Sequence, residues 1–410
     1  MAQLPSENMY DIFSRMPVKS LARFRSVSKL WRNSINDSYL ETMHAERATT
    51  YYDPMLIMFR QILSHLPNSS CTLSFLEYKE EEDQKGGYCS TLNVRKKPPV
   101  MEFTCKSSGS RFPDDIILGS CNGLIYSSRG HPGHNTLVVI HPLRRECYEL
   151  PPIRPPFHTL HSWVIDLEES FRIYVKETYG LGFDISTNTF KMVAVVVREE
   201  GGPVLNIHDQ LNEEVNQELC AMVHVLGTDS WRKIHRVPAY PVSGEGVFAN
   251  GCLHWLISDD DDDGYPAYLG RPVVSFEMAK EEFGLIDPPQ ERPSGWVREQ
   301  LVDLDGEVGY AYNIVNRRME VWVLKEGGWV VHCVFKQRSP LPSSFIKVLG
   351  FWNQNGDVLM TDCEKHMFVY NLKSDSLHEI NFVGREEENE TNDIRMYRSS
   401  LFSTRYSIKK

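Results

Sequence analysis

The stretch LPSENMYDIFSRMPVKSLARFRSVSKLWRNSINDSYLETMHAE, residues 4–46, contains three helical patterns in succession. The first pattern places apolar residues at positions i, i+3, i+4 and i+7, on one face of a helix, at Met9, Ile12, Phe13 and Met16. Ser6 is a candidate N-cap for this helix. Pro17 stops it and can open the second helix, whose apolar residues are Val18, Leu21, Phe24 and Val27. A third short segment carries Leu30, Trp31 and Ile35.

Three short helices in about 40 residues form a unit that is too small to support a hydrophobic core by itself. Units of this size usually need a disulfide, a metal or a partner. We therefore expect some of the apolar side chains in residues 4–46 to belong to an interface with another protein.

The order of residues in this stretch resembles the F-box motif, a helical motif of the form LP, an apolar helix, then LPVKSL-FR-V-K-W. The matching residues are Leu4, Pro5, Ile12, Pro17, Val18, Lys19, Ser20, Leu21, Arg23, Phe24, Arg25, Val27, Ser28, Lys29 and Trp31. Phe13 and Met16 stand where leucines are common, and Ser26 stands where cysteine is frequent. These departures keep the side-chain volume or the small size. A generic helical hairpin is the alternative interpretation.

Length and composition indicate an ordinary soluble globular protein. The chain has 410 residues, of which 41% are hydrophobic and 24% charged, which suits one small and one large domain, or two to three domains. A formal net charge of −11 argues against a general nucleic-acid binder, which needs a basic face. No apolar run approaches the roughly 18 residues of a membrane-spanning helix, and the N-terminus carries no secretory signal pattern.

The cysteines favour an intracellular compartment. Nine cysteines are scattered along the chain, and none forms a C-x-x-C pair. We expect reduced thiols, as in the cytosol or nucleus.

Beyond residue 50 the pattern changes from helical to short alternating β-segments. Six segments share an apolar strand, a polar turn and a second apolar strand: VVIHPLRRECYEL, LGFDISTNTFKMV, VHVLGTDSWRKI, VVSFEMAKEEFGLI, VWVLKEGGWVVHCVF and FVYNLKSDSLHEINF. We align them at Ile140, Phe183, Val225, Phe276, Trp322 and Tyr370, which are separated by 43, 42, 51, 46 and 48 residues. A period in the forties predicts the blades of a β-propeller, six to eight in number.

Turn dipeptides support this period. Asn122-Gly123, Asn250-Gly251, Asp305-Gly306 and Asn355-Gly356 each precede an alternating apolar run. Such dipeptides favour the primed turns that join twisted antiparallel strands. The pattern predicts blades in which two hairpins follow one another. An irregular β-sandwich or several small β-domains are the alternatives, because residues 51–118 do not align with the repeat.

Residues 119–402 also resemble the F-box-associated domain of the large plant F-box family, which is related to kelch-type propellers. The resemblance rests on the stretches GSCNGLIY (119–126), YGLGFDISTNTFKMVAV (179–195), LGTDSWRKI (226–234), VFANGCLHWLI (247–257), VSFEMAKEEFGLIDPP (274–289), MEVWVLKEGGW (319–329) and YRSSLF (397–402). The tryptophans in these stretches, Trp231, Trp255 and Trp322, are predicted to pack between blades.

The predicted fold class is α+β for the whole chain, with a small all-α unit followed by a large all-β, propeller-like domain. We divide the chain into an F-box at 1–45, a connecting segment with the first β-elements at 46–118, the propeller-like domain at 119–402 and a tail at 403–410.

Other apparent sites carry little weight. Asp259–Asp263 followed by Gly264 imitates a calcium loop, but position twelve is Gly270 instead of glutamate, so a solvated insertion is expected. The basic residues 95–97 and the acidic stretch 386–393 are expected to be solvated loops. His141, His224 and His254 are predicted to be hydrogen-bonded structural residues. No metallopeptidase, P-loop, hydrolase-elbow or dinucleotide motif is present.

The two resemblances imply a non-catalytic substrate-recognition subunit of a Skp–cullin–F-box ubiquitin ligase, which needs no cofactor or metal. The residues expected to contact a Skp-type adaptor, or to support that contact, are Leu4, Pro5, Ile12, Pro17, Leu21, Phe24, Val27 and Trp31. Through the adaptor the chain would join a cullin–RING ligase, while the β-domain would hold an unknown target protein. The alternatives are an interaction scaffold that acts without the ligase and a kelch-like metalloenzyme.

Overall fold

The computed structural model describes residues 5–37, 39–40, 43–44, 55–62, 68–82, 88–93, 101–106, 118–129, 136–142, 145–154, 172–201, 216–258, 270–290, 297–314, 318–336, 346–362, 366–383 and 390–398. Within these residues, three short α-helices precede a long series of β-strands. The predicted order of a small helical unit and a large all-β domain is confirmed. The calcium-like run 259–264, the basic residues 95–97 and residues 386–389 of the acidic stretch lie outside the described residues. The other half of that stretch, residues 390–393, forms the start of the last strand, so its prediction as a solvated loop is wrong.

The three helices are α1 (Ser6–Ser14), α2 (Val18–Phe24) and α3 (Lys29–Ile35). Pro5 and Pro17 occupy the N-cap positions of α1 and α2. Ser6 is therefore the first residue of α1, and its predicted role as the N-cap is wrong. Proline suits a helix start because its φ is already near the helical value and the missing N–H has no partner to lose there.

The strands in the first half of the chain are β1 (Met55–Ile62), β2 (Asn68–Glu82), β3 (Tyr88–Asn93), β4 (Met101–Lys106), β5 (Gly119–Cys121), β6 (Leu124–Arg129), β7 (Thr136–His141), β8 (Glu146–Glu149), β9 (Arg172–Asp184), β10 (Thr189–Gly201), β11 (Asn216–Val225) and β12 (Arg232–Lys233). Those in the second half are β13 (Val242–Ala249), β14 (Cys252–Ile257), β15 (Val273–Glu277), β16 (Glu282–Ile286), β17 (Val297–Leu304), β18 (Glu307–Ile314), β19 (Arg318–Lys325), β20 (Gly328–Lys336), β21 (Ile346–Phe351), β22 (Val358–Asp362), β23 (Met367–Asn371), β24 (Ser376–Val383) and β25 (Glu390–Tyr397).

These strands form a propeller of six blades. Blades 1 to 5 are four-stranded antiparallel sheets that follow the chain: β5–β8, β9–β12, β13–β16, β17–β20 and β21–β24. Blade 6 combines the two ends of the domain, because β25 pairs with β1, which pairs with β2, which pairs with β3 and β4. Strand β3 also runs parallel to β24 and so joins blades 5 and 6 at their outer edge.

Six apolar cores, one between each pair of neighbouring blades, hold the ring together. The core between blades 2 and 3 is typical: Val193 and Val223 of blade 2 pack with Leu253 and Trp255 of blade 3. The core between blades 6 and 1 joins Phe59 of β1 to Ile140 of β7. Because this last core exists, the ring is closed.

The predicted primed turns are confirmed for three of the four dipeptides. Asn122-Gly123, Asn250-Gly251 and Asp305-Gly306 have positive φ at both residues, and each joins the first and second strands of a blade. In Asn355-Gly356 only the glycine has a positive φ. Two successive positive φ values match the right-handed twist of the flanking strands. The turns therefore set the register at the inner end of these blades.

One of the six aligned repeat positions is wrong. Five of them lie on the third strand of a blade: Ile140, Val225, Phe276, Trp322 and Tyr370. Phe183 lies instead on β9, the first strand of blade 2. The long hairpin β9–β10 has the same apolar, polar, apolar pattern as an outer hairpin. Two of the six aligned segments therefore come from blade 2. The sixth blade comes from 55–106 and 390–397, which no repeat segment covers.

Tyr397 links the closing strand to blade 1, and its removal should destabilise the ring. Its side chain is almost fully buried, its hydroxyl donates to Gly123 O at 3.0 Å, and its ring packs against Phe75. We expect Tyr397→Ala to lower the free energy of unfolding by about 3–5 kcal/mol through cavity formation. Tyr397→Phe, which loses only the hydrogen bond, should cost about 1 kcal/mol.

Urea unfolding at pH 7 measures both changes. Ile185→Ala is the control, because Ile185 is exposed and should change stability by less than about 0.5 kcal/mol. An alanine variant at position 397 as stable as this control would contradict the role of Tyr397.

Candidate functional site

The three helices share one small core, which decides which apolar residues are available to a partner. Its buried members are Met9, Phe13, Val18, Leu21, Ile35 and Leu40. Trp31 packs edge-on against both Phe13 and Phe24, with ring centroids 5.2 Å apart in each case. Ser28 caps α3, because its Oγ accepts a hydrogen bond from the Trp31 backbone N at 3.1 Å. The motif thus fixes the aromatic ring of Trp31 from both sides.

The predicted adaptor-contact residues fall into three groups. Pro5, Pro17, Ile12 and Val27 are exposed, with Ile12 49% and Val27 61% accessible. Phe24 and Trp31 are half-buried. Leu21 is completely buried, so it supports the helices from inside and cannot touch a partner. Leu4 lies outside the described residues.

Two exposed apolar residues were absent from the predicted set. Leu30, in the first turn of α3, is 45% accessible and Tyr39 is 60% accessible. Tyr39 lies edge-on to Tyr10, whose hydroxyl donates to Asp37 Oδ2 at 2.7 Å. Leu30 follows Val27 by three residues, and this helical spacing is the sequence signal that could have placed Leu30 beside Val27 in the predicted set. No periodic pattern marks Tyr39.

The segment after α3 is tied back to the helices. His44 is buried, and a hydrogen bond of 2.9 Å joins its Nε2 to Met16 O in the turn between α1 and α2. Burial lowers the pKa of His44 below its ordinary value, and the bond to Met16 opposes this only in part. The imidazole is therefore neutral at pH 7, and it fastens the end of the motif without adding charge.

At the centre of the propeller the first strands of several blades meet around a charged cluster. Arg395 of β25 contacts both carboxylate oxygens of Glu245 on β13, at 2.6 and 2.7 Å. Lys347 of β21 reaches the same carboxylate at 3.2 Å, and Asp393 accepts from Arg395 Nε at 3.0 Å. We call Glu245, Lys347, Asp393 and Arg395 the central cluster. It connects blades 3, 5 and 6 across the ring.

The central cluster has balanced charge, and its environment shifts the carboxyl groups in opposite directions. Burial raises the pKa of Glu245, but the nearby Arg395 and Lys347 outweigh burial and hold this pKa below its ordinary value. For Asp393 burial prevails over Arg395, and its pKa is raised. The free volume beside the cluster is about 90 Å³, well below the roughly 300 Å³ at which ordinary ligand sites begin. The space beside the central cluster is therefore small for an ordinary ligand.

Two further contacts tie blade 4 into the centre. Gln300 of β17 donates from Nε2 to Val348 O at 2.8 Å and accepts from Val348 N at 3.0 Å. Arg398 donates to Asp305 in the first turn of blade 4. Side chains therefore satisfy backbone groups that the inner strands leave unpaired.

The predicted structural tryptophans pack between blades as expected. Trp255 is completely buried and donates to Tyr179 O at 3.1 Å. Trp231 donates to Pro151 O at 2.7 Å. Trp322 packs against the core between blades 3 and 4.

The predicted structural histidines are buried on their strands. His224 and His254 bond through Nδ1 to Ser230 O and Val247 O, at 3.1 and 3.3 Å. Burial lowers the pKa of His254 to about 4, so it is neutral at pH 7. His141 is completely buried on β7. Within the described part of the chain, no three His, Cys, Asp or Glu side chains are grouped as a metal site requires.

Comparisons with known proteins agree with both parts of this structure. Residues 1–42 match the family described as F-box domain, and residues 67–404 match the family described as F-box associated beta propeller domain. The chain belongs to the F-box proteins with an F-box-associated β-propeller. The helical segment is accordingly called the F-box below.

Relatives of this F-box protein are found in Arabidopsis thaliana. F-box protein CPR1 is 27% identical over 91% of this chain and 83% of its own length. F-box/kelch-repeat protein At3g23880 is 24% identical over 92% of this chain and 89% of its own length. Among solved structures, AofleA from Arthrobotrys oligospora aligns with a TM-score of 0.36 and 9% identity, over 85% of this chain and 91% of its own.

No helix in the described residues combines the length and the apolar character needed to cross a membrane.

The central cluster of this F-box protein predicts a stability that depends on pH. We expect Glu245→Gln to lower the free energy of unfolding at pH 7 by about 2 kcal/mol, because Arg395 loses a charged acceptor. The pKa of Glu245 is lowered on folding from an ordinary value of 4.5, so its carboxylate stabilises the fold above that pH. This contribution is lost as the pH falls through the folded pKa. The difference between the two proteins should therefore shrink below about pH 4.5.

Unfolding in urea at a series of pH values measures this difference. Glu282→Gln is the matched control, because Glu282 pairs with Arg236 at an exposed site and should contribute less than about 1 kcal/mol. A difference for Glu245→Gln that is absent at pH 7, or that does not change with pH, would contradict the assignment.

Proposed function

We propose that this F-box protein is the substrate-recognition subunit of a Skp–cullin–F-box ubiquitin ligase. In this proposal the F-box binds a Skp-type adaptor, the adaptor connects to a cullin–RING ligase, and the propeller holds the target protein. Membership of the F-box family supports the contact with the adaptor, and the large F-box-associated propeller supports the contact with a target.

The distribution of exposed apolar side chains carries the proposal. Ten large apolar residues are exposed among the described residues, and they are not spread evenly. Four of them lie in the F-box, at Ile12, Val27, Leu30 and Tyr39. Single exposed apolar residues are ordinary on protein surfaces, but several on a unit of three short helices indicate a surface that a partner covers.

Adaptor contact would rest on these residues and on the rings that the F-box core holds in place. Phe24 and Trp31 are half-buried, so each has a fixed ring with part of its surface open. Aromatic side chains of this kind lose little conformational entropy on binding and often act as anchors at the centre of an interface. The exposed aliphatic residues would exclude water around them.

No bond chemistry is assigned to the chain itself in this proposal. The ligase would act by proximity, because a target held on the propeller meets the ubiquitin-conjugating enzyme at a high effective concentration. A target lysine would then be modified because it is held close to the ubiquitin-conjugating enzyme. The central cluster would serve to keep the propeller rigid while the target is held.

Adaptor binding can be tested without unfolding the F-box. We expect Ile12→Asp and Val27→Asp each to weaken co-purification with a Skp-type adaptor at least tenfold, because a charge would be buried at the contact. Both residues are exposed in the free chain, so both variants should keep the wild-type melting temperature. Leu21→Asp is unsuitable, since Leu21 belongs to the core. Ile185→Asp makes the same change at an exposed site on the propeller and should leave adaptor binding unchanged.

Undiminished adaptor binding by both F-box variants would refute the proposed contact. Reconstitution with the adaptor, cullin–RING ligase and conjugating enzyme distinguishes a ligase subunit from a scaffold. A ligase subunit should become ubiquitinated itself in this mixture, and Val27→Asp should abolish that modification. Adaptor binding without cullin assembly would instead indicate a scaffold that acts without the ligase. Metal analysis of the purified chain tests the metalloenzyme alternative.

A further inference from the structure

Open sheet edges invite other strands, and most blades of this propeller protect their outer edge. The outer strand β8 has four residues with glutamate at each end, and β12 consists of Arg232 and Lys233. Strand β16 has five residues and begins with Glu282. Short strands and charged residues are the usual means of keeping an edge unpaired. The edge of β24 is protected differently, because β3 covers it.

Strand β20, the outer strand of blade 4, lacks this protection. It has nine residues, GWVVHCVFK, and within the described residues no strand pairs with its outer edge. Val330, Val331 and Val334 are 52, 45 and 48% accessible. In the described part of the propeller these three are the largest group of exposed apolar residues, since the others found there, Ile185, Val237 and Leu285, lie on separate blades or turns. A long apolar edge is a template for another strand.

The strand is held firmly by residues beside its exposed valines. Cys333 and Phe335 point into the core between blades 4 and 5. Trp329 donates from Nε1 to Asp287 O at 2.7 Å on the side of blade 3. On the side of blade 5, a hydrogen bond of 2.8 Å joins His332 Nε2 to Gly356 O, and the His332 ring packs at a tilt against Phe351. An edge that is already ordered loses little entropy when a segment binds to it.

A bulge interrupts the edge but leaves its apolar residues exposed. Trp322 pairs with Val331 and Val321 with Cys333, so His332 is an extra residue in β20. Bulges disfavour pairing along a full strand. One exposed valine still precedes His332, at position 331, and another follows it, at position 334. The bulge therefore limits a bound segment to a short length without closing the edge.

The chain itself shows that a blade of this propeller accepts an added strand. Strand β3 belongs to blade 6, yet it lies beside β24 of blade 5 in a parallel register from Ser90↔Ile380 to Asn93↔Val383. Blade 5 thus has five adjacent strands. Blade 4 has the same four-stranded architecture, so a fifth strand is compatible with the fold.

The charges at the end of β20 define what the added segment should carry. Lys336, the last residue of β20, is exposed and lies directly opposite Arg318 of β19. Arg318 bonds to Glu320 at 2.6 Å. Glu320 thus neutralises Arg318, so the positive charge presented at this end of the edge is that of Lys336, and it would attract an acidic residue placed beside it.

We propose that β20 is a recognition strand for the target: an extended segment rich in β-branched residues, with an acidic residue beside Lys336, adds to blade 4 as a fifth strand. Backbone hydrogen bonds would supply affinity, and contacts with the exposed valines would select the segment. The inference rests on the proposed function only in naming the target as the owner of the segment.

A phage-displayed library of random 12-residue peptides, selected on the full chain, tests the proposal. We expect the enriched peptides to alternate β-branched residues and to share one acidic residue. Synthetic copies should bind Val331→Gln/Val334→Gln at least tenfold more weakly than the wild type in fluorescence anisotropy. Leu285→Gln, at an equally exposed apolar position of blade 3, should bind them unchanged. Peptides N-methylated at alternate amides should lose binding, since N-methylation removes backbone N–H groups of the peptide that would donate hydrogen bonds to β20.

Lys336→Glu provides a charge test. It should weaken binding of the acidic peptides at least tenfold, and replacing the peptide's acidic residue by lysine should restore it. Because all altered side chains are exposed, the variants should have the same melting temperature as the wild type.

Three results would overturn the proposal. The first is a selection in which no enriched peptide depends on the valines of β20, and the second is equal binding of the N-methylated peptides. The third is a wild-type chain that dimerises while Val331→Gln/Val334→Gln stays monomeric, since a second copy would then occupy the edge. Adaptor binding, measured separately, distinguishes this inference from the proposed function: either can fail while the other holds.

Discussion

The antiparallel pairing of β25 with β1 is the contact on which the propeller depends. It aligns eight residues from each strand, from Met55 opposite Tyr397 to Ile62 opposite Glu390, and it joins two segments more than 300 residues apart in the chain. This pairing supplies the innermost strand of blade 6, and residues of β25 pack against the cores between blades 5 and 6 and between blades 6 and 1. Closure also buries the blade faces that an open ring would expose to water.

Closure also bears on where the proposed recognition of a target would take place. It brings Arg395 to the centre, where the guanidinium meets Glu245 of blade 3 and the space beside it is small. For the proposed recognition of a target, this small space favours loops and strand edges over the centre. The exposed apolar residues agree with this arrangement, because most of them lie either on the F-box or on β20. The two groups belong to different parts of the chain, so one partner does not have to displace the other.

Local patterns predicted much of this structure, and long-range contacts account for the errors. Helical spacing placed the three helices, and Asn122-Gly123 marked a primed turn, because both signals depend on neighbouring residues. The pairing of β1 with β25 left no such signal, so residues 51–118 could not be assigned to a blade. Phe183 was misaligned because an inner hairpin and an outer hairpin share one pattern. In the F-box, spacing gave Leu21 and Ile12 equal weight, and only packing shows that one is buried and the other exposed.

Hydrogen exchange followed by mass spectrometry tests the closure of the ring most directly. Peptides that cover 55–62 and 390–397 report on the closing pair, and a peptide that covers 308–314 reports on β18 inside blade 4. If closure holds the ring, the closing pair opens only when the domain unfolds, and we expect all three peptides to exchange slowly with similar protection. Rapid exchange of 55–62 and 390–397 beside a protected 308–314 would contradict the claim that these strands hold the ring closed.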